Sequence, residues 1–399
     1  MTYSKFNLLK VSFRLSPKVT LASHTITTMT FLAASSAPTP LYRLYQDIWH
    51  FSPSTLTLIF AVYAFTLLSS LLVMGALSDY IGRRPVIILA IILEIISMLL
   101  FLNASNIMML FTARAIQGFA TGLAVSAIGA ALLDLSKKNG ALINGISPML
   151  GMAIGVLLAC TILQFSSIPL KLIFEVLYCL LILELLMVFL APETAQKRQG
   201  AINSLKPHLA VPTQAKNTLL SITPINIAVW MVSGFYLSLM PSLLAKTFQT
   251  QSVWLSGMSF IALTLAGAVG ILMVRNLHPA RILLTGTISL MLGAVILLLG
   301  INSANVTLLF IGSLITGLGF GTGFLGSLRS LMPLALPEQR AGLMAAFFVE
   351  SYLAFSIPAI FAGYFINKIG LISTANIYVI LIIVLAFLAL SLNYRKLKK

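Results

Sequence analysis

Acidic side chains are scarce in this chain. There are 9 Asp and Glu in 399 residues, against 25 Lys and Arg. Charged residues make up 9% of the sequence, where a soluble domain carries roughly a quarter. That shortage excludes a water-soluble globular fold. Cysteine is nearly absent, and both copies, Cys160 and Cys179, fall in apolar runs, so no disulfide framework is implied. No Cys/His cluster has metal-ligand spacing, and no metal or cofactor is expected. There is no Gly-x4-Gly-Lys-Ser/Thr phosphate loop, which argues against nucleotide drive. No nucleophile–base pair stands out, and nothing points to an enzyme. The net charge of +16 does not imply nucleic acid, because the basic residues are scattered through short loops.

What is present is apolar length. Hydrophobic residues make up 59% of the chain, and a spanning helix needs about 20 of them in succession. The predicted spans 1 to 12 cover residues 18–42, 55–78, 85–103, 107–135, 142–165, 170–191, 219–246, 253–274, 281–301, 306–332, 342–366 and 372–393. Lys and Arg crowd on one side of that topology, as the positive-inside rule requires, and both termini fall on that cytoplasmic side of a bacterial-type inner (plasma) membrane. Lys5, Lys10, Arg14 and Lys18 before an apolar run ending in Ala33-Ala-Ser-Ser-Ala37 imitate a secretory signal. Eleven further spans follow, and Pro38 and Pro40 sit where a helix end is wanted, so the stretch is read as an uncleaved first span.

The fold class is therefore an all-α membrane protein of twelve helices. Residues 1–191 form one six-helix bundle and 219–399 a second, joined by a cytoplasmic linker, 192–218. That linker holds Pro192, Glu193, Lys197, Arg198, Lys206, Pro207, His208, Pro212 and Lys216, and reads as solvated. Gln117-Gly-Phe-Ala-Thr-Gly122 in span 4 matches Thr316-Gly-Leu-Gly-Phe-Gly321 in span 10, 199 positions later. Ser35-Ser-Ala-Pro-Thr-Pro-Leu41 in span 1 has a counterpart in Ser238-Leu-Met-Pro-Ser-Leu243 of span 7. Duplicated halves with a site between them are a common build of secondary transporters.

Acid, base and glycine crowd together once, in Gly75-Ala-Leu-Ser-Asp-Tyr-Ile-Gly-Arg-Arg-Pro-Val86, between spans 2 and 3. Gly75 is expected to admit a neighbouring helix. Gly82 permits the positive φ of a sharp reversal, and Arg83 and Arg84 hold the turn in the cytoplasm. The stretch resembles the G-x-L-x-D-x-x-G-R-R/K loop motif of the major facilitator superfamily, matched at Gly75, Leu77, Asp79, Gly82, Arg83 and Arg84. The resemblance implies a central cavity open alternately to each side. Spans 1, 4, 7 and 10 would line it, spans 2, 5, 8 and 11 would form the moving interface, and spans 3, 6, 9 and 12 would face lipid. It also implies a latch in which Asp79 meets the start of span 11, after Pro337-Glu-Gln-Arg-Ala-Gly342, while Arg83 pairs with Asp134 at the end of span 4. The plainer reading of the same loop is a basic turn that orients the chain.

Arg114 lies inside span 4, where a charge costs about 2.5–3.5 kcal/mol. Arg114-Ala-Ile-Gln-Gly118 resembles the superfamily's R-x-x-Q-G motif, linked there to proton coupling; the structural alternative is a pair with Glu94. Gln117, Gly118 and Gly122 suit close helix packing. Glu350, among Phe347, Phe348, Tyr352 and Phe355, is a second coupling candidate, or a polar contact across the bundle interface. His24 in span 1, a side chain whose ordinary pKa lies near neutrality, is a further coupling candidate, or else a hydrogen-bonded packing residue. Glu94 and Glu184 sit on peripheral spans and read first as packing partners. In span 5, Gly145 to Gly155 is similar to the antiporter motif G-x-x-x-G-P-x-x-G-G. Pro148 and Gly151 match it, whereas Ile143, Ser147 and Met152 replace its other glycines, so a kinked packing helix explains the stretch equally well.

Tyr63 and Phe65 in span 2, Trp230, Phe235 and Tyr236 in span 7, and Phe320 and Phe324 in span 10 suggest an apolar cavity, with Arg329 its exception. The sequence thus points to a monomeric, proton-coupled transporter of lipophilic or amphipathic small molecules. Its partners would be substrate, protons and the lipid bilayer. Uptake of a nutrient or organic anion, and a non-transporting receptor on the same scaffold, are the alternatives.

Overall fold

In a computed structural model the described residues are 14–207, 209–249, 252–336 and 339–397. Lys5, Lys10, His208, Pro337 and Glu338 of the sequence reading lie outside them. Among the described residues every regular element is helical. Spans 1 to 6 are Pro17–Ser36, Pro53–Met74, Arg83–Leu102, Ile107–Leu135, Gly140–Phe165 and Pro169–Leu190. Spans 7 to 12 are Thr213–Ser238, Val253–Val274, Pro279–Asn302, Val306–Leu331, Arg340–Ile369 and Leu371–Leu397. Past a break, span 1 continues as Pro38–Trp49 and span 7 as Met240–Thr247.

Of these, 11 are long and apolar enough to cross a membrane by length and composition. Span 1 completes the set. Its 20 residues rise about 30 Å at 1.5 Å each. Thr20, Ser23, His24, Thr27, Thr28 and Thr30 lower its apolarity, and all are buried inside the bundle. Helix starts are set by local chemistry. Asn106 and Asn305 each accept from the backbone N–H three residues on, at 3.0 and 3.1 Å, and cap spans 4 and 10. Ser52 does the same for span 2 at 3.1 Å. Span 7 starts at Thr213, inside the stretch expected to be linker. Pro212 sets that start, and the polar turns that follow stay helical although they are too hydrophilic for lipid. The linker itself is docked: Arg198 N–H donates to the Tyr80 carbonyl at 2.8 Å, and Ala201–Ser204 forms one helical turn.

The internal repeat is visible in the packing. In span 4, Gly118 lies against the Tyr63 carbonyl and Gly122 against the Leu67 carbonyl of span 2. In span 10, Gly317 lies against the Leu263 carbonyl and Gly321 against the Gly267 carbonyl of span 8. The four partners are again half a chain apart. In span 5, Gly151 and Gly155 meet the Met29 and Ala33 carbonyls of span 1, which lets these two helices touch backbone to backbone.

Spans 3, 6, 9 and 12 carry exposed apolar stripes at helical spacing: Ile92, Ile96 and Leu99; Leu183 and Leu186; Leu292, Val295 and Leu299; Ile377, Leu381, Val384 and Leu388. Such stripes suit lipid contact. The halves meet through span 2 on span 11 and span 5 on span 8. Side-chain hydrogen bonds join them at the outer ends, where Ser54 donates to the Gly363 carbonyl at 2.9 Å and accepts from Asn367 at 3.1 Å. Further in, Phe60 packs on Phe355 at 4.5 Å between ring centres.

Gly122→Val and Gly321→Val each drive a side chain into a carbonyl of the neighbouring helix, and each is expected to cost about 1–3 kcal/mol. Gly145→Ala, whose new methyl would meet Ile271 Cδ1 at 3.9 Å, is expected to be neutral. Thermal unfolding of the purified protein checks this, and equal losses in all three variants would refute the close-approach account.

Candidate functional site

The break after span 1 prepares the first cluster. A helical carbonyl normally accepts from the N–H four residues on, but for Ala34 that residue is Pro38, which has none. The free Ala34 carbonyl accepts from Gln117 Nε2 at 3.1 Å, and the neighbouring Ser35 carbonyl accepts from Arg114 Nη1 at 3.0 Å. Arg114 Nη1 also donates to Gln117 Oε1 at 2.6 Å, and Gln117 Nε2 to Glu94 Oε1 at 3.0 Å. The guanidinium lies over the Tyr63 ring, 4.2 Å from its centre. All three polar side chains are buried: Glu94 and Gln117 are fully covered and Arg114 is 2% exposed. The direct Arg114–Glu94 pair weighed from sequence is thus replaced by a chain through Gln117. The amide donates to the acid and accepts from the base. Arg114 Nε and Glu94 Oε2 keep no hydrogen-bond partner.

At the inner ends of spans 2 to 4, Arg83 pairs with Asp79 and, through Nε at 3.3 Å, with Asp134 Oδ2. Its Nη1 donates to Ser78 Oγ at 2.8 Å. Asp79 remains half exposed, so this pair alone contributes about 0–1 kcal/mol. The loop turns at Gly82, where φ is +103° and a Cβ would strike the Glu193 carboxylate. Gly75 does not admit a second helix: the atoms nearest a Cβ there belong to Leu71 of its own span.

Glu193 carries structural weight that the sequence reading missed. Its Oε1 accepts from the N–H groups of Arg83 at 2.7 Å, Thr194 at 2.9 Å and Ala195 at 3.0 Å, and its Oε2 from Arg84 N–H at 3.1 Å. A carboxylate thus sits on the positive N-terminus of span 3. Arg84 turns away to the Phe189 carbonyl at the end of span 6. The signal for this contact was an acid just past a span end, which composition alone reads as a solvated linker residue.

In the second half, Glu350 faces span 7 of its own bundle rather than across the interface. Its Oε2 accepts from Thr223 Oγ1 at 2.9 Å and its Oε1 from Asn226 Nδ2 at 3.0 Å. One turn along span 7, Trp230 meets Tyr352 at 4.8 Å, Phe355 at 6.0 Å and Phe324 at 6.2 Å between ring centres. Trp230 and Phe324 are half-buried. Tyr236 and Phe320 are buried in the packing of their own bundle, and Tyr236 donates to Ser313 Oγ at 2.7 Å. Tyr63 is taken up by Arg114, and Phe65 is exposed on span 2. Arg329 donates to the Arg275 carbonyl at 2.6 Å. Pro148 lies within span 5 without ending it. His24 is buried in span 1 and makes none of the Arg114, Gln117 and Glu94 hydrogen bonds.

Gln117→Leu would leave the Ala34 carbonyl and Glu94 without their donor, at about 1–3 kcal/mol for each orphaned group. Thr161→Val, which removes a bond to the Leu157 carbonyl on an exposed face, is the control. A larger fall in unfolding temperature for Gln117→Leu is expected, and equal effects would reject the bridging role.

Residues 25–350 match the sequence model of the Major Facilitator Superfamily. No curated protein sequence matches the chain. Among solved structures, the human organic anion transporter MFSD10 (TETRAN) is 17% identical, with a TM-score of 0.70 over 94% of this chain and 100% of that one. A bacterial homologue of the human lysosomal transporter Spinster, in an inward-facing and unoccupied conformation, is 13% identical, with a TM-score of 0.76 over 96% of this chain and 98% of that one. These likenesses show the fold. The matched span runs from inside span 1 to Glu350, and takes in the loop at Asp79 and the buried Arg114–Gln117–Glu94 chain: the protein belongs to the Major Facilitator Superfamily.

Proposed function

We propose that this transporter couples the entry of protons to the export of lipophilic or amphipathic small molecules by alternating access, working as a monomer in a bacterial-type plasma membrane with both termini inside. The observation that carries this reading is the pairing of an aromatic wall with an embedded acid at the junction of the halves. Trp230, Phe324, Tyr352 and Phe355 make an apolar surface, and Glu350 lies beside it, held by the neutral donors Thr223 and Asn226. An acid held by neutral groups, without a fixed counter-ion, is free to exchange a proton.

The substrate class follows from what lies beside this wall. A sugar or phosphate site would need several amides or free cations facing inward. Arg114 is already committed to Ser35 and Gln117, and Arg329 to Arg275. The organic anion named for the human relative would find no uncommitted arginine there. The driving force is adequate: a proton moving down 100 mV supplies about 2.3 kcal/mol, enough for a gradient of somewhat more than tenfold at about 1.4 kcal/mol per decade.

At the inner face, Asp79, Arg83 and Asp134 form the gate. Their mutual pairing ties spans 2, 3 and 4 together at the cytoplasmic side, and the start of span 11 offers a helix N-terminus for Asp79 when that side closes.

Purified protein in liposomes loaded with a fluorescent lipophilic dye tests both ideas. An imposed proton gradient is expected to drive dye and protons in opposite directions. Asp79→Asn is expected to slow that exchange several-fold and to change cysteine accessibility on both faces. Dye accumulation along with protons would replace export by uptake. Dye movement without protons would defeat the coupling, and an Asp79→Asn variant indistinguishable from the parent would remove the gate.

A further inference from the structure

Span 6 holds an acid that the proposed function does not use. Glu184 lies in the inner half of the span, and Leu183 and Leu186 beside it are exposed on the lipid side. Glu184 itself turns inward and is 5% exposed. Its Oε1 accepts from Thr30 Oγ1 of span 1 at 2.6 Å. Its Oε2 has no hydrogen-bond partner. Thr27 lies near the same carboxyl and donates its hydroxyl proton to the Ser23 carbonyl at 3.0 Å.

That donor count decides the chemistry. An ionised carboxylate offers about four acceptor sites and carries a full charge. Buried away from water, it needs a cation or several donors to be tolerated. Glu184 has one close hydroxyl donor, and among the described residues the recorded ion pairs lie elsewhere, at Arg83 with Asp79 and Asp134. A carboxylic acid needs less. Its O–H requires a single acceptor, and Thr27, whose own hydrogen is spent on Ser23, lies close by.

The charged groups on the surrounding helices do not alter this. Span 5 has no Asp, Glu, Lys or Arg between Gly140 and Phe165. On span 3, Glu94 is bound to Gln117, Arg83 is paired with Asp79 and Asp134, and Arg84 is bound to the Phe189 carbonyl at the start of the span. Lys171 and Glu175 of span 6 itself lie toward its outer end. On span 1, the titratable groups are Lys18, exposed in the first turn of the helix, and the buried His24.

We propose that Glu184 is a second proton-binding site, a carboxylic acid in the first bundle that exchanges its proton with the cytoplasm along Ser23 and His24 of span 1. Ser23, Thr27 and Thr30 fall on one helix face at spacings of four and three. Ser23 is 7% exposed and His24 2%. Ser23 Oγ and His24 Nδ1 lack partners, as Glu184 Oε2 does. Orphaned buried polar atoms of this kind, here on the packed spans 1 and 6, are what buried water binds to. Toward the cytoplasm, His24 lies within electrostatic reach of Glu193. In the exchange, a proton from bulk water passes along this file to Glu184 Oε2 and forms an O–H bond there; release breaks that bond and returns the proton by the same file. The site deepens the proton-coupled reading, yet its test is spectroscopic and stands apart from any transport assay.

Infrared spectra of the full-length protein at neutral pH are expected to show a protonated-carboxyl band that Glu184→Gln removes. Glu184→Asp, which keeps the carboxyl, is expected to move that band rather than abolish it, and serves if the glutamine variant fails to fold. His24→Phe is expected to leave the band in place and to slow its shift in heavy water several-fold. A protonated-carboxyl region unchanged in both Glu184 variants would overturn the site. Unchanged exchange in His24→Phe would overturn the route.

Discussion

A polar atom inside a bilayer has no water to fall back on, and one missing N–H in this protein organises much of its first half. Pro38 leaves the Ala34 carbonyl without its helical donor. Gln117 of span 4 supplies that donor and thereby fixes its own amide beside the carbonyl. From that fixed position the same amide reaches Glu94 on span 3 and receives Arg114 one turn earlier on span 4. Three helices are thus joined by one side chain. Gly118 follows directly because the helix that carries Gln117 must also touch the backbone of span 2. The motif residues are therefore coupled in packing as well as in charge. A buried arginine is tolerated here because its hydrogens go to a carbonyl and an amide and its face to an aromatic ring.

The inner loop follows a similar rule with a different donor set. The first N–H groups of span 3 have no partner within their helix. Glu193, arriving from the end of span 6, accepts from two of them and from two of its own neighbours. Gly82 has to be glycine twice over, for its positive φ and for the space the carboxylate occupies. The linker is consequently part of the first bundle's inner surface. Any movement of span 3 at this end is transmitted to the segment that leads to the second bundle.

The sequence shows the fold well, because lipid imposes a length and an apolarity that can be read without contacts. The span limits agree closely with the helices, except where polar turns extend span 7 to Thr213. The repeat was legible from one glycine pattern, and the Leu67–Gly122 and Gly267–Gly321 contacts give it physical form. The site was legible only in part. Arg114, Gln117 and Glu94 were named, but the order in which they bond depends on a carbonyl of span 1 that no side-chain pattern reveals. Glu193 was passed over because an acid in a polar segment resembles any solvated residue. Glu184 reads from sequence as a packing residue because its span is peripheral. Which face of that span it occupies is set by Thr27 and Thr30, far away in sequence. Tyr236, drawn from sequence as a cavity aromatic, instead spends its hydroxyl on Ser313.

That last contact exposes an asymmetry between otherwise matching halves. With the offset of the glycine pattern, Arg114 corresponds to Ser313 and Gln117 to Thr316. The scaffold is shared: Asn106 and Asn305 start the two helices, and paired glycines seat them on spans 2 and 8. The chemistry on it is not. In the first half the position holds a cation and extends through an amide to an acid. In the second it holds a neutral hydroxyl pair, and the acid, Glu350, has moved to span 11 and faces span 7. Equal backbones with unequal charge give two bundles of matching build whose polar interiors differ. Neutralising Glu94 weakens a bond within one bundle, near the end of span 1. Neutralising Glu350 alters the wall beside Trp230, where the bundles meet. In this duplicated fold one copy keeps its ionic cluster deep inside and the other sets its acid beside the aromatic wall at the junction, so under the proposed coupling the two groups of polar residues would serve different tasks.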